Sequence, residues 1–200
     1  MLIKVCGLTR AADVAACLEL DIDWMGFIFH APSPRCIQPE IAAGLPKGRA
    51  LRVGVFVRQS AQEVLQIMDQ SGLDLAQLHG PYSLADCRDI GADRVIKTFW
   101  PMRHSRPDTF QQELESYAPA CRYILLDSGT SGGGHGRSAQ VPWLSRILFP
   151  RPWILAGGLG PESVLGKTRE LKPDGIDLNS GVESAPGVKD AGRIRRTLKS

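Results

Sequence analysis

The chain has no long hydrophobic run, no paired cysteine framework and no strong charge of either sign, and each shortage removes a class of function. Nothing in it approaches the ~20 consecutive apolar residues of a membrane span. Lys4 and Arg10 bracket only a short apolar run near the start, so no signal peptide is expected. Cysteines at positions 6, 17, 36, 87 and 121 are odd in number and have no metal-ligand spacing, which argues against a disulfide scaffold or a structural metal. The net charge is only +3, part of it in Arg193, Arg195, Arg196 and Lys199, and no nucleic-acid module accompanies it. What is present is 43% hydrophobic and 22% charged residues in a 200-residue chain, enough to bury a sizeable core. The expectation is a reduced, cytoplasmic protein, one domain over residues 1–200, with a small-molecule partner and neither nucleic acid nor membrane. The oligomeric state is not legible.

Apolar runs alternate with helical patterns along the chain. Ile3-Lys4-Val5 leads to Cys6-Gly7, after which Thr9 is placed to cap a helix bearing Val14, Cys17 and Leu18. Met25 to Phe29 reads as a second strand, and the prolines of His30-Ala31-Pro32-Ser33-Pro34-Arg35 put Arg35 in a loop. Pro39-Glu40 starts a short helix. Further strands are expected at Leu51–Val57, Asp74–Leu78, Asp93–Phe99, Arg122–Asp127, Trp153–Gly158 and Gly175–Gly181. Between them, Ser60-Ala61-Gln62-Glu63 has capping-box spacing, Ser83 can cap a helix, Phe110–Tyr117 is helical and Pro161 sits at a helix start. A last amphipathic helix carries Val188, Ala191, Ile194 and Leu198, and the glycine-rich stretch from Ser128 to Gly136 reads as a mobile loop.

Eight strand-then-helix units with continuously apolar strands describe an α/β fold of the (β/α)8 barrel type, with a doubly wound open sheet as its rival. The chain is near the lower length limit for a barrel, so trimmed helices are expected, the second and fifth first. In a barrel, Cys6, Arg35, His79, Asp127, Gly157, Gly158, Ser180 and Gly181 all lie at strand carboxyl ends, where such folds carry their chemistry.

A thiol held where a strand opens into a turn can be a catalytic base, although free cysteine more often packs as a small hydrophobe. Gly157-Gly158 and Ser180-Gly181, on adjacent strands, leave backbone N–H groups open to a phosphate. Arg35 offers a planar fork to a carboxylate or phosphate. Asp127, ending an apolar strand, must either be salt-bridged or hold a proton it can donate. Acid, base and phosphate pocket together indicate a sugar-phosphate isomerase.

The segments Lys4–Arg10, Gly26–Phe29 with Ser33-Pro34-Arg35, Gln77–Gly80, Leu125-Leu126-Asp127, Leu155–Leu159 and Asp177–Asp190 resemble the phosphoribosylanthranilate isomerase family of tryptophan biosynthesis. The resemblance implies a (β/α)8 barrel performing an Amadori rearrangement without metal or organic cofactor. It implies Asp127 as the acid that opens the ribose ring and Cys6 as the base that removes the C2′ proton. Arg35 would hold the anthranilate carboxylate, Gly157, Gly158, Ser180 and Gly181 the phosphate, and His79 would line the pocket. One departure is that Gly136–Trp143 keeps the family's tryptophan but not the Phe-Asp before it, which puts the start of the sixth helix in question. Indole-glycerol-phosphate synthase would need a catalytic lysine and glutamates at strand ends, a pentose-phosphate epimerase metal ligands, and a phosphate-sensing barrel neither Cys6 nor Asp127.

Strand parity adds one more expectation. If Cys6 faces the barrel interior, so does Lys4, and Asp177 on the neighbouring eighth strand should pair with it.

Overall fold

The computed structural model describes residues 1–127 and 141–199. Eight parallel strands close on themselves in sequence order: β1 (Leu2–Val5), β2 (Trp24–Ile28), β3 (Leu51–Phe56), β4 (Leu75–Leu78), β5 (Val95–Phe99), β6 (Tyr123–Asp127), β7 (Trp153–Ala156) and β8 (Gly175–Leu178). Closure is made by β1, where Lys4 is in register with Trp24 on one side and Asp177 on the other. An open doubly wound sheet has no such pairing of first and last strands, so that rival is excluded.

Both faces of every strand are buried, which is why the strands read as continuous apolar runs. Alternate residues separate into two cores. Trp24, Val53, Leu75, Ile96, Leu125, Ile154 and Ala156 fill the barrel interior. Their neighbours Met25, Phe27, Ala76, Leu78, Val95, Phe99, Ile124, Leu126 and Leu155 join the larger core facing the helices. Fully buried Phe27, Phe56, Phe99 and Phe110 each contribute roughly 2–3 kcal/mol of burial to that layer.

The helices are α1 (Ala11–Glu19), α2 (Pro39–Gly44), α3 (Ala61–Ser71), α4 (Leu84–Ile90), α5 (Pro107–Tyr117), α6 (Val164–Leu171) and α7 (Ala191–Leu198). The expected caps of α3 and α4 are present as complete capping boxes, Ser60 with Glu63 and Ser83 with Asp86. Gly72, at φ 60, closes α3 in the left-handed region. Among the described residues no helix is long and apolar enough to cross a membrane.

Several expected boundaries move. Thr9 does not cap α1; Arg10 takes that position, and the Thr9 hydroxyl donates to the Gly187 carbonyl at 3.2 Å. The second helix is trimmed to one and a half turns as expected, but the fifth is not. Phe110 and Leu114, four residues apart, both bury on the core, and Pro107 starts the helix, so α5 runs eleven residues. In the sixth connection the described residues, 141–152, contain only a 3-10 turn, Leu144–Arg146, and the prolines at 142, 150 and 152 leave no room there for a regular helix. Asp93 lies in a 3-10 turn before β5, α6 starts at Val164 rather than at Pro161, and Gly157-Gly158 and Asn179–Gly181 lie beyond their strands. Val188 is not helical. It pairs in a hairpin of β9 (Glu183–Ala185) and β10 (Val188–Lys189) that turns through Gly187 at φ 79. The stretch Ser128–Gly136 lies outside the described residues.

Candidate active site

The carboxyl ends of the strands surround a cavity of about 110 Å³ lined by Cys6, Arg35, His79, Asp127, Gly157, Gly158 and Ser180, together with Gln77, Asp177 and Asn179. Seven of the eight residues singled out in the sequence therefore meet on one face. Gly181 is the exception: it packs against the backbone of Leu159 and Gly160, where a Cβ would lie 2.0 Å from the Leu159 carbonyl oxygen.

Cys6 directly follows β1, with its side chain inside the barrel, 3% exposed. Lys4, two residues back on the same face, is fully buried and donates to Asp177 Oδ2 at 2.9 Å, as parity predicts. Burial pushes the Cys6 thiol up, and the Lys4 ammonium beside it pulls in the opposite direction. Burial also presses Lys4 toward neutrality, but Asp177 and Cys6 outweigh it and hold the ammonium above the ordinary lysine value. The three groups thus sit in a site that retains protons, with one carboxylate matched by one ammonium. Gly26 on β2 makes this packing possible, since a Cβ there would lie 2.9 Å from Cys6 Sγ and 3.1 Å from Lys4 Nζ.

Asp127 ends β6, buried, with the His79 Nε2 3.4 Å from its Oδ2. Burial pulls the His79 pKa down to about 4 against the raising effect of Asp127, and Lys4, Lys97 and Arg103 add to the fall. The ring is therefore neutral near pH 7. Gln77 Nε2 lies 3.4 Å from its Nδ1. With Gln77 donating there, the ring proton sits on Nε2 and faces Asp127.

Arg35 reaches the cavity from the β2–α2 loop, but not as a free fork. Its Nε and Nη2 donate to the two oxygens of Glu183 at 2.8 and 2.6 Å. Lys189 Nζ donates to the same carboxylate at 2.7 Å and to Asn179 Oδ1 at 2.8 Å. Burial would push Glu183 up, yet the bonds from Arg35 and Lys189 hold it below the usual carboxylate range. The cluster keeps one net positive charge at the mouth, and three guanidinium N–H groups are left over by Glu183. Gly7, at φ 75, lets this side chain pass: a Cβ there would lie 2.7 Å from Arg35 Cδ. Glu183, Lys189 and Asn179 escape a reading of the sequence by strand ends. The available signal is a glutamate and a lysine flanking Pro186-Gly187, a hairpin turn that sets the two charges across from each other.

Gly157 and Gly158 both take positive φ, 100° and 64°, after β7. Beside them Ser180 opens the 3-10 turn Ser180–Val182. This backbone, with no side-chain bulk at either glycine, can approach an anion closely.

A family model described as N-(5'phosphoribosyl)anthranilate (PRA) isomerase matches residues 3–200. Among curated proteins, the N-(5'-phosphoribosyl)anthranilate isomerase of Desulfovibrio desulfuricans is 48% identical over 198 residues, covering 99% of this chain and 94% of that protein. The isomerase of the same name from Maridesulfovibrio salexigens is 42% identical over 194 residues, covering 97% and 95%. The crystal structure of the Thermus thermophilus phosphoribosyl anthranilate isomerase superposes with a TM-score of 0.86 at 35% identity, over 100% of this chain and 97% of that one. A structure of such an isomerase in complex with reduced 1-(o-carboxyphenylamino)-1-deoxyribulose 5-phosphate superposes with a TM-score of 0.80 at 33% identity, over the same shares.

Proposed function

The chain belongs to the N-(5'-phosphoribosyl)anthranilate isomerase family of tryptophan biosynthesis, and from that premise we propose that Cys6 and Asp127 are the base and acid of its reaction. The substrate is N-(5-phosphoribosyl)anthranilate and the product 1-(2-carboxyphenylamino)-1-deoxyribulose 5-phosphate. The observation that carries the assignment is that Cys6 and Asp127 line one cavity, the thiol beside a buried ammonium and the carboxyl beside a neutral imidazole.

Asp127 gives its proton to the ribose ring oxygen as the bond from that oxygen to C1′ breaks, leaving a Schiff base between C1′ and the aryl nitrogen. Cys6, whose buried thiol first gives up its proton to solvent, then takes the C2′ proton as a thiolate, and the electron pair of that C–H bond becomes the C1′–C2′ double bond of an enolamine. Tautomerisation moves a proton to C1′ and yields the ketone. Lys4 supports the thiolate by charge, and His79 orients the Asp127 carboxyl. Arg35 takes the aryl carboxylate with the donors that Glu183 leaves, while the backbone at Gly157, Gly158 and Ser180 holds the phosphate. Gly181 contributes by letting the β8 turn pack closely on Leu159, which places Ser180. The reading assigns no step to a metal or organic cofactor.

The test is the loss of anthranilate-type fluorescence from freshly generated phosphoribosylanthranilate, followed with wild type, Cys6→Ala and Asp127→Asn. Each variant is expected to lose roughly 10²–10⁴-fold in kcat, the usual worth of a positioned acid or base. A folded variant of either kind that keeps more than a tenth of wild-type kcat removes that residue from its role.

A further inference from the structure

A second cleft, of about 430 Å³, opens between the β4–α4 and β5–α5 connections; it shares no lining residue with the first, and its Trp100 ring lies edge-on to His79 with centroids 5.2 Å apart. Its floor is Lys97. Because Ile96 occupies the barrel interior, Lys97 projects to the other side of β5, into the layer beneath the helices, and is only 5% exposed. Its ammonium donates to the carbonyls of Gly80 and Thr98, each at 3.2 Å. The rings of Phe99 and Tyr117 lie 5.3 Å away and that of Trp100 5.9 Å.

The charge of this cleft is not balanced. Among its described lining residues Glu113 is the one carboxylate, and it is bonded to His104 at 3.0 Å rather than to Lys97. Arg103, at the rim, lies over the Trp100 ring with its guanidinium 4.0 Å from the centroid, adding a second permanent cation. Burial, and to a lesser degree Arg103, press Lys97 below the ordinary lysine value. The buried indole N–H of Trp100, another lining residue, has no acceptor among the described residues. A buried ammonium short of a counter-ion is costly, and a cleft with aromatic walls and converging donors is built for an organic anion. One uncompensated positive charge matches a monoanion rather than a phosphate dianion.

We propose that this cleft binds a small aromatic carboxylate, its carboxylate held between Lys97 and Arg103 and its ring against Trp100 and Tyr117. An incoming carboxylate supplies the counter-charge that Lys97 lacks, and the flat walls select a ring over a compact inorganic ion.

Benzoate is the probe, titrated calorimetrically into wild type, Arg35→Ala, Arg103→Glu and Lys97→Met, with inorganic phosphate as competitor. The expected result is one saturable site per chain that survives in Arg35→Ala, weakens at least ~10-fold in Arg103→Glu and in Lys97→Met, and is not displaced by phosphate. No saturable binding would overturn the proposal, as would binding lost only in Arg35→Ala, binding indifferent to Arg103→Glu, or displacement by phosphate. Arg103 is exposed, so that variant decides the matter whether or not Lys97→Met folds.

Discussion

Replacing Lys4 by Met should unfold much of the margin that keeps this barrel folded. Lys4 and Asp177 lie 2.9 Å apart with side chains 0% and 7% exposed, one on the first strand of the barrel and one on its eighth. Removing the ammonium leaves Asp177 buried beside the thiol with no opposite charge in contact, only the more distant Lys189. Breaking a buried pair in this way costs about 3–5 kcal/mol, against a total stability of roughly 5–15 kcal/mol for a domain. Methionine nearly fills the lysine's volume, so little of the loss arises from a cavity. Urea unfolding of Lys4→Met at pH 7 measures the cost directly. The double variant Lys4→Met, Asp177→Leu removes both charges and should recover all but about 1–2 kcal/mol. A second readout separates charge from packing. Lys4 opposes the upward push of burial on Cys6, so without it the thiol rises further and the alkaline rise of kcat/KM moves to higher pH. A single variant within about 1 kcal/mol of wild type, or a double variant no more stable than the single, would refute the argument.

Gly26→Ala pushes Cys6 Sγ from its place, because the new Cβ would lie 2.9 Å away where ordinary contact begins near 3.4 Å; kcat should fall about 100-fold, and a loss under threefold in the fluorescence assay contradicts this. Ser60→Ala deletes the α3 capping box and should cost about 1 kcal/mol in urea with activity unchanged. His79 has a folded pKa lowered to about 4 from 6.5. The unfolded chain therefore binds the extra proton first, and stability contributed by neutral His79 is present above pH 6.5 and lost as pH falls toward 4. Melting followed across that window should show a drop in wild type that is smaller in His79→Gln; equal drops would remove His79 as its source.

Most of the architecture was legible because parallel strands buried on both faces write themselves as apolar runs, and because chemistry gathers at their carboxyl ends. The same period-two alternation places Lys4 beside Cys6 and opposite Asp177. Helix lengths were less legible. The fifth helix depends on Phe110 and Leu114 finding the core, and the sixth connection on prolines at 142, 150 and 152, which matter through the space between β6 and β7. The Arg35–Glu183–Lys189 cluster was hidden for another reason. Its members come from positions 35, 183 and 189, and only the hairpin of β9 and β10, folded back over the mouth, makes neighbours of them. A strand-end rule sees Arg35 as a free fork and has no way to register a carboxylate already in it.

The pairing of residues 4 and 177 also sets when this protein can work. During synthesis β1 emerges first, and for nearly the whole passage of the chain its lysine has no counter-charge and its cysteine no barrel to face. Only when β8 arrives does a bond spanning 173 positions close the ring. A chain halted before Asp177 would carry Cys6, His79 and Asp127 in full, yet would have no reason to hold Lys4 inside. Such a chain would also lack Asn179, Ser180, Glu183 and Lys189, so the site as a whole waits on the segment that follows β7.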